Sequence, residues 1–176
     1  MIRTVRRLSV CFLVLAIASG CNRNDQGDGA APQPADEPSA TALAPYPADL
    51  SAQSSPTDVA TVLIRALDAD DAETLRGLVA VKHEVEAVDA IYRRHGRAGD
   101  TTPEKAATMA AAGWQATYLF FETNATQVER ETIEKDTAEV FAAGKSPTGK
   151  PRTLKIKLVR EDDVWKVRAG LETLPD

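Results

Sequence analysis

The chain has 176 residues, 43% hydrophobic and 27% charged, with a formal net charge of −5, the composition of one small soluble domain with room for a tail. Arg3, Arg6 and Arg7 lie in a segment expected to be removed, and without them 18 basic residues face 26 acidic ones. That balance disfavours nucleic acid as a partner and adsorption to anionic lipid through a basic patch.

Residues 1–20 have the three parts of an export signal. Arg3, Arg6 and Arg7 form a positive start. Leu8 to Ala18 form an apolar run of 11 residues, too short to span a hydrocarbon core that needs about 20. Ala18-Ser19-Gly20-Cys21 then places small residues before a cysteine. This resembles the bacterial lipobox, departing from it where Ala18 replaces the usual Leu, and the resemblance implies a fatty-acylated Cys21. Ala16-Ile17-Ala18 also offers an ordinary cleavage site, which would release a chain starting at Ser19. Cys11 leaves with the signal, so no disulfide is expected in the mature chain.

From 21 to 56 the composition changes. Six of the ten prolines fall here (Pro32, Pro34, Pro38, Pro45, Pro47 and Pro56) and large apolar residues are scarce. Such a segment cannot bury enough surface to offset its ordering entropy and reads as a spacer. Leu43, Tyr46 and Leu50 are its exceptions.

The domain is expected over 57–174. Val59, Val62, Leu63, Ala66 and Leu67 recur at helical spacing after Thr57, the expected cap. Asp70 with Glu73 predicts a capping box for a second helix carrying Leu75, Leu78 and Val79. A third places Val85, Val88, Tyr92 and His95 on one face and ends at Gly96. Thr102-Pro103 opens a long Ala-rich helix with a stripe of Ala107, Ala111, Trp114, Tyr118 and Phe121. The period then changes, predicting strands over 127–134, 137–143, 153–160 and 164–169, with turns at Lys135-Asp136, 144–151 and Glu161-Asp162-Asp163. Helices followed by a four-stranded antiparallel meander predict an α+β fold with helices on one sheet face.

The opening pattern D-V-x-x-V-L-x-x-A-L-x-x-x-D-x-x-x-L (Asp58, Val59, Val62, Leu63, Ala66-Leu67, Asp71, Leu75) and the terminal hairpin from Lys157 to Val167 resemble the nuclear transport factor 2-like superfamily, in particular its small bacterial lipoproteins of unassigned function. The resemblance covers roughly 57–170. It implies a cone-shaped sheet wrapped around helices, often with a pocket, and assigns no chemistry.

The residues offer few candidates for chemistry. His83, His95, Asp89 and Tyr92 are the acid–base candidates, and Tyr92, His95 and Trp114 are the expected pocket. His83 and His95 are about 120° apart around a helix and cannot share a metal. Arg93, Arg94 and Arg97 cluster near one helix end, where they complement its dipole. Asp68, Asp70, Asp71 and Glu73 mimic the start of a calcium loop but lack its glycine and its closing glutamate. No cofactor, metal or nucleophile motif is present. The expectation is a non-catalytic envelope lipoprotein, membrane-held through Cys21, that binds a partner protein or small ligand outside the cytoplasm. The alternative is a pocket enzyme using His95.

Overall fold

The computed structural model describes residues 43–99 and 101–174. The chain divides into two units, Met1–Glu37 and Pro38–Asp176, and every described residue belongs to the second. The expected signal segment, Cys21 and the first half of the spacer lie outside the described residues.

Four helices come first: α1 (Pro56–Asp68), α2 (Ala72–Leu78), α3 (Val81–Arg94) and α4 (Pro103–Tyr118). The cap of α1 is Ser55 rather than Thr57. The Ser55 hydroxyl accepts from Asp58 N at 3.1 Å, and the Asp58 carboxylate accepts from Ser55 N at 2.7 Å. Pro56 takes the first helical position, where a missing N–H costs nothing. Thr57 instead gives its N–H and hydroxyl to Glu131 Oε2, at 3.0 and 2.8 Å. In α2 the cap is Asp71 rather than Asp70, its carboxylate accepting from Thr74 N at 3.1 Å and Thr74 Oγ1 at 2.7 Å. Asp70 adopts a left-handed conformation, φ 55°, and accepts from Gln115 Nε2.

Ala80, which precedes α3, offers no side-chain cap. Glu161 supplies one from the sheet, accepting His83 N at 3.1 Å. Carboxylates of the sheet therefore satisfy orphan N–H groups at the starts of α1 and α3. The α4 stripe of Ala107, Ala111, Trp114, Tyr118 and the following Phe121 is buried, as its spacing predicts.

The strands are β1 (Gln127–Glu134), β2 (Thr137–Lys145), β3 (Pro151–Glu161), β4 (Val164–Val167) and β5 (Glu172–Leu174). They form one antiparallel sheet in the order β1-β2-β3-β4, with β5 also paired to β3. The expected four strands are thus five. Since β2 occupies one edge of β3, β4 and β5 share the other, pairing with Leu158–Glu161 and Thr153–Lys155. Residues 168–171 interrupt what would otherwise be one return strand, at Gly170 with φ 90°. Turns are tight at Lys135-Asp136, with Lys135 at φ 55°, and at Asp162-Asp163; only in the second do both central residues have positive φ, as a type I′ hairpin requires.

Alternation sorts the side chains. Ala138, Val140, Ala142, Leu154, Ile156, Leu158, Trp165 and Val167 face the helices and are buried, meeting Leu63, Leu75, Leu78 and Trp114 in one core. Residues 43–55, expected as spacer, pack on the domain. Leu50 is buried. The Tyr46 hydroxyl donates to the Trp165 carbonyl at 2.8 Å, and the Tyr46 ring lies 4.0 Å from Lys166 Nζ. Packing on the domain therefore extends N-terminal to 57 through Tyr46 and Leu50, while Leu43 stays exposed.

Candidate functional site

The residues expected to line a pocket are not gathered in one. Trp114 is fully buried, and its Nε1 donates to the Arg168 carbonyl at 3.3 Å. Tyr92 is half-buried on α3, and His95 ends that helix exposed to solvent. None of the three lines either of the two clefts described below. The space between helices and sheet holds packed side chains: Trp114, Leu63, Leu75, Leu78, Ile156 and Leu158 are all under 2% exposed.

Other candidates have structural partners. His83 Nδ1 lies 3.1 Å from Glu161 Oε1, the carboxylate that caps α3. Asp89 packs against Gly99, and its Oδ1 is buried with no hydrogen-bond partner among the described residues. Arg93, Arg94 and Arg97 are exposed. Asp68 accepts from Tyr118 Oη and Asn124 N, both at 2.9 Å; burial raises the Tyr118 phenol to about 12. Among the described residues, no cluster of His, Cys, Asp or Glu is placed to hold a metal ion, and no helix is long and apolar enough to cross a membrane.

The outer face of the sheet carries a different arrangement. Register aligns Thr132, Glu139 and Lys157 across β1, β2 and β3, and Arg168 N donates to the Lys157 carbonyl at 2.9 Å. The neighbouring row pairs Glu134 with Thr137. These six residues line an open cleft of about 420 Å³. Most charges around it are matched: Lys155 Nζ sits 2.6 Å from Glu139 Oε1, and Lys157 pairs with Glu172, which holds the Glu172 carboxyl below its ordinary range. Arg168 differs. Its Nε is buried and has no hydrogen-bond partner among the described residues, a cost that a ligand acceptor would remove. A cleft of equal volume lies beside Leu67, Tyr118 and Leu119, but its Asp70 and Gln115 already bond to each other.

The sequence showed Lys155 and Lys157 as the polar half of a strand, with nothing to distinguish them from a solvated face. The cleft exists only through register, which brings together residues from four separate segments.

No protein-family model matches the chain, and no curated protein is returned as similar. Similar solved structures include a provisionally assigned nuclear transport factor 2-like transpeptidase from Campylobacter jejuni, 19% identical, covering 66% of this chain and 100% of that one with a TM-score of 0.44. A DUF4783 family protein from Bacteroides ovatus is 11% identical, covering 65% and 94% with a TM-score of 0.41. A loop-truncation variant of IdmH is 22% identical, covering 68% and 92% with a TM-score of 0.38.

Proposed function

We propose that this chain is an envelope lipoprotein, held to a membrane by lipid on Cys21, whose domain is a nuclear transport factor 2-like cone serving as a non-catalytic binding module for a partner protein or small ligand. The anchor rests on the sequence alone: three arginines, a short apolar run, and Ala18-Ser19-Gly20-Cys21. The fold assignment rests on the order of helices followed by an antiparallel meander.

The observation that carries the binding reading is the filled interior. With Trp114 and its neighbours occupying the space between helices and sheet, the accessible concavity with an unsatisfied polar group is the outer cleft. Arg168 and Lys157 suit a carboxylate, and Glu134 and Glu139 suit an ammonium group, so the cleft fits a ligand bearing both charges, such as a peptide segment.

The test uses the full chain recovered from its own envelope with whatever it holds. Arg168→Glu combined with Lys157→Glu should abolish capture of the ligand that the parent retains, while the thermal midpoint moves by only about 2 °C. Equal capture by both would sink the cleft. In a separate arm, Cys21→Ser should lose incorporation of labelled fatty acid; retained label would sink the anchor without touching the cleft.

A further inference from the structure

Where α4 ends, Leu119 and Phe120 stand in solvent, 77% and 58% exposed, although Tyr118 and Phe121 on either side are buried. The loop between β2 and β3 sits directly beside them. Glu122 N donates to the Lys145 carbonyl at 2.6 Å, and a Cβ on Gly144 would come within 2.9 Å of the Phe121 ring. The Arg152 guanidinium lies 5.9 Å from the Phe120 ring centroid. This end of the domain thus joins two projecting apolar side chains to Lys145, Lys150 and Arg152. Neither lysine forms an ion pair among the described residues.

The loop is held in shape. Ser146 is buried; its N–H donates to the Lys150 carbonyl at 2.8 Å, and its hydroxyl accepts from Lys150 N at 3.1 Å. Pro147 and Pro151 restrict the chain further. The lysines are therefore presented together without further ordering cost.

We propose that this end is a docking patch for an anionic bilayer surface, with Leu119 and Phe120 entering the interface and Lys145, Lys150 and Arg152 meeting lipid phosphates. An exposed apolar pair on the same end of the domain as three cations suits a soft, negatively charged medium. The acidic balance of the whole chain does not oppose this. Screening confines the relevant charges to about 8–10 Å; the acids at this end among the described residues include Glu122, whose N–H meets the Lys145 carbonyl, and Asp70, which lines a cleft with Leu119 and already accepts from Gln115. The proposal uses neither the Cys21 anchor nor the sheet cleft, so it stands or falls independently of both.

The experiment is hydrogen–deuterium exchange on the full chain mixed with excess vesicles, of phosphatidylcholine alone or with added phosphatidylglycerol. Exchange over 119–122 and 145–152 should slow at least about threefold in the anionic vesicles, and the slowing should vanish in pure phosphatidylcholine, at high salt, and in Lys145→Glu/Lys150→Glu. Leu119→Ser/Phe120→Ser should also abolish it while the thermal midpoint stays unchanged, since both side chains are exposed. Equal slowing in neutral vesicles, or none in either, would overturn the proposal. So would slowing that follows protein density rather than lipid charge, which would assign the patch to a second copy of this chain. Co-flotation of the chain without slowing would leave the Cys21 anchor intact and remove the patch.

Discussion

The two faces of the sheet are built from the same strands by strict alternation, yet they differ in kind. On the inner face Val140, Ile156 and Leu158 are sealed under α1, α2 and α4, and any polar atom there must be bonded within the fold. On the outer face Glu139, Phe141, Lys155 and Lys157 form a half-buried lattice in which Arg130 and Lys155 flank the Phe141 ring at 4.2 and 5.7 Å. The first face carries the packed core, and the second carries the charged groups to which the proposed binding role is assigned. The division fails at one corner: from Val159 the burial phase of β3 reverses, Val159 and Glu161 both being buried, and Glu161 accepts from His83 N in the first turn of α3. Where the faces exchange roles, capping and packing replace alternation.

The largest expected effect breaks the inner face. Trp114→Ala should cost about 3–5 kcal/mol, as for other buried aromatics, read as the shift in a urea unfolding curve. Lys157→Ala on the outer face should stay within about 0.5 kcal/mol, because an exposed ion pair contributes little. Comparable losses from both would show that the outer lattice is structural, and the comparison would collapse.

A smaller effect probes the segment that joins both faces. Gly77 sits inside α2, where Gly→Ala ordinarily stabilises by up to about 1 kcal/mol. Here an added Cβ would lie 2.2 Å from the Pro45 carbonyl oxygen, so the docked strand carrying Tyr46 would have to move. Gly77→Ala should therefore destabilise by about 1–2 kcal/mol, a reversal of sign against helix propensity. A stabilised variant would show that residues 43–55 do not hold their place on the domain.

That segment also marks how far the sequence could be read. The helices, the first two strands and the turns follow from periods of 3.6 and 2 and from turn chemistry, and Trp114 and Trp165 lie in the core as their stripes predict. The caps shifted because Ser55–Asp58 and Asp71–Thr74 satisfy more donors than the nearer alternatives. Glu161, and Glu131 beneath Thr57, cap helices from the sheet, which no local pattern encodes. Strand β5, three residues long, has no period to detect and forms because β3 outruns β4. Residues 43–55 are mostly polar and proline-rich, and composition averages conceal the few apolar contacts that dock them. The outer cleft is visible only once register is known, since a charged strand face and a binding face share the same letters.

The smallest effect tests the outer face where it is most covered. Lys166 alternates outward between Trp165 and Val167, yet its ammonium is half-buried over the Tyr46 ring and donates to the Gly77 carbonyl at 2.6 Å. Burial lowers it to about 8, against an opposing pull from Glu161 and Asp162. The unfolded chain holds that proton up to the ordinary lysine value of 10.5, so between about 8 and 10.5 the unfolded state binds more protons than the folded one. Stability from this group must then rise with pH across that window, and fall as pH drops through 8. Tyr46 acts in the opposite sense at higher pH. Burial first, and Asp49 second, raise its phenol to about 12, so the folded state keeps a proton that the unfolded chain sheds from about 10, and stability falls above that point. The interval from 8 to 10 isolates Lys166. Urea midpoints of the parent should climb there relative to those of Lys166→Met, whose methyl thioether has no proton to lose, and the two curves should run parallel below pH 7. Parallel curves throughout would mean that the ammonium is fully hydrated, and that Tyr46 does not cover this corner of the sheet.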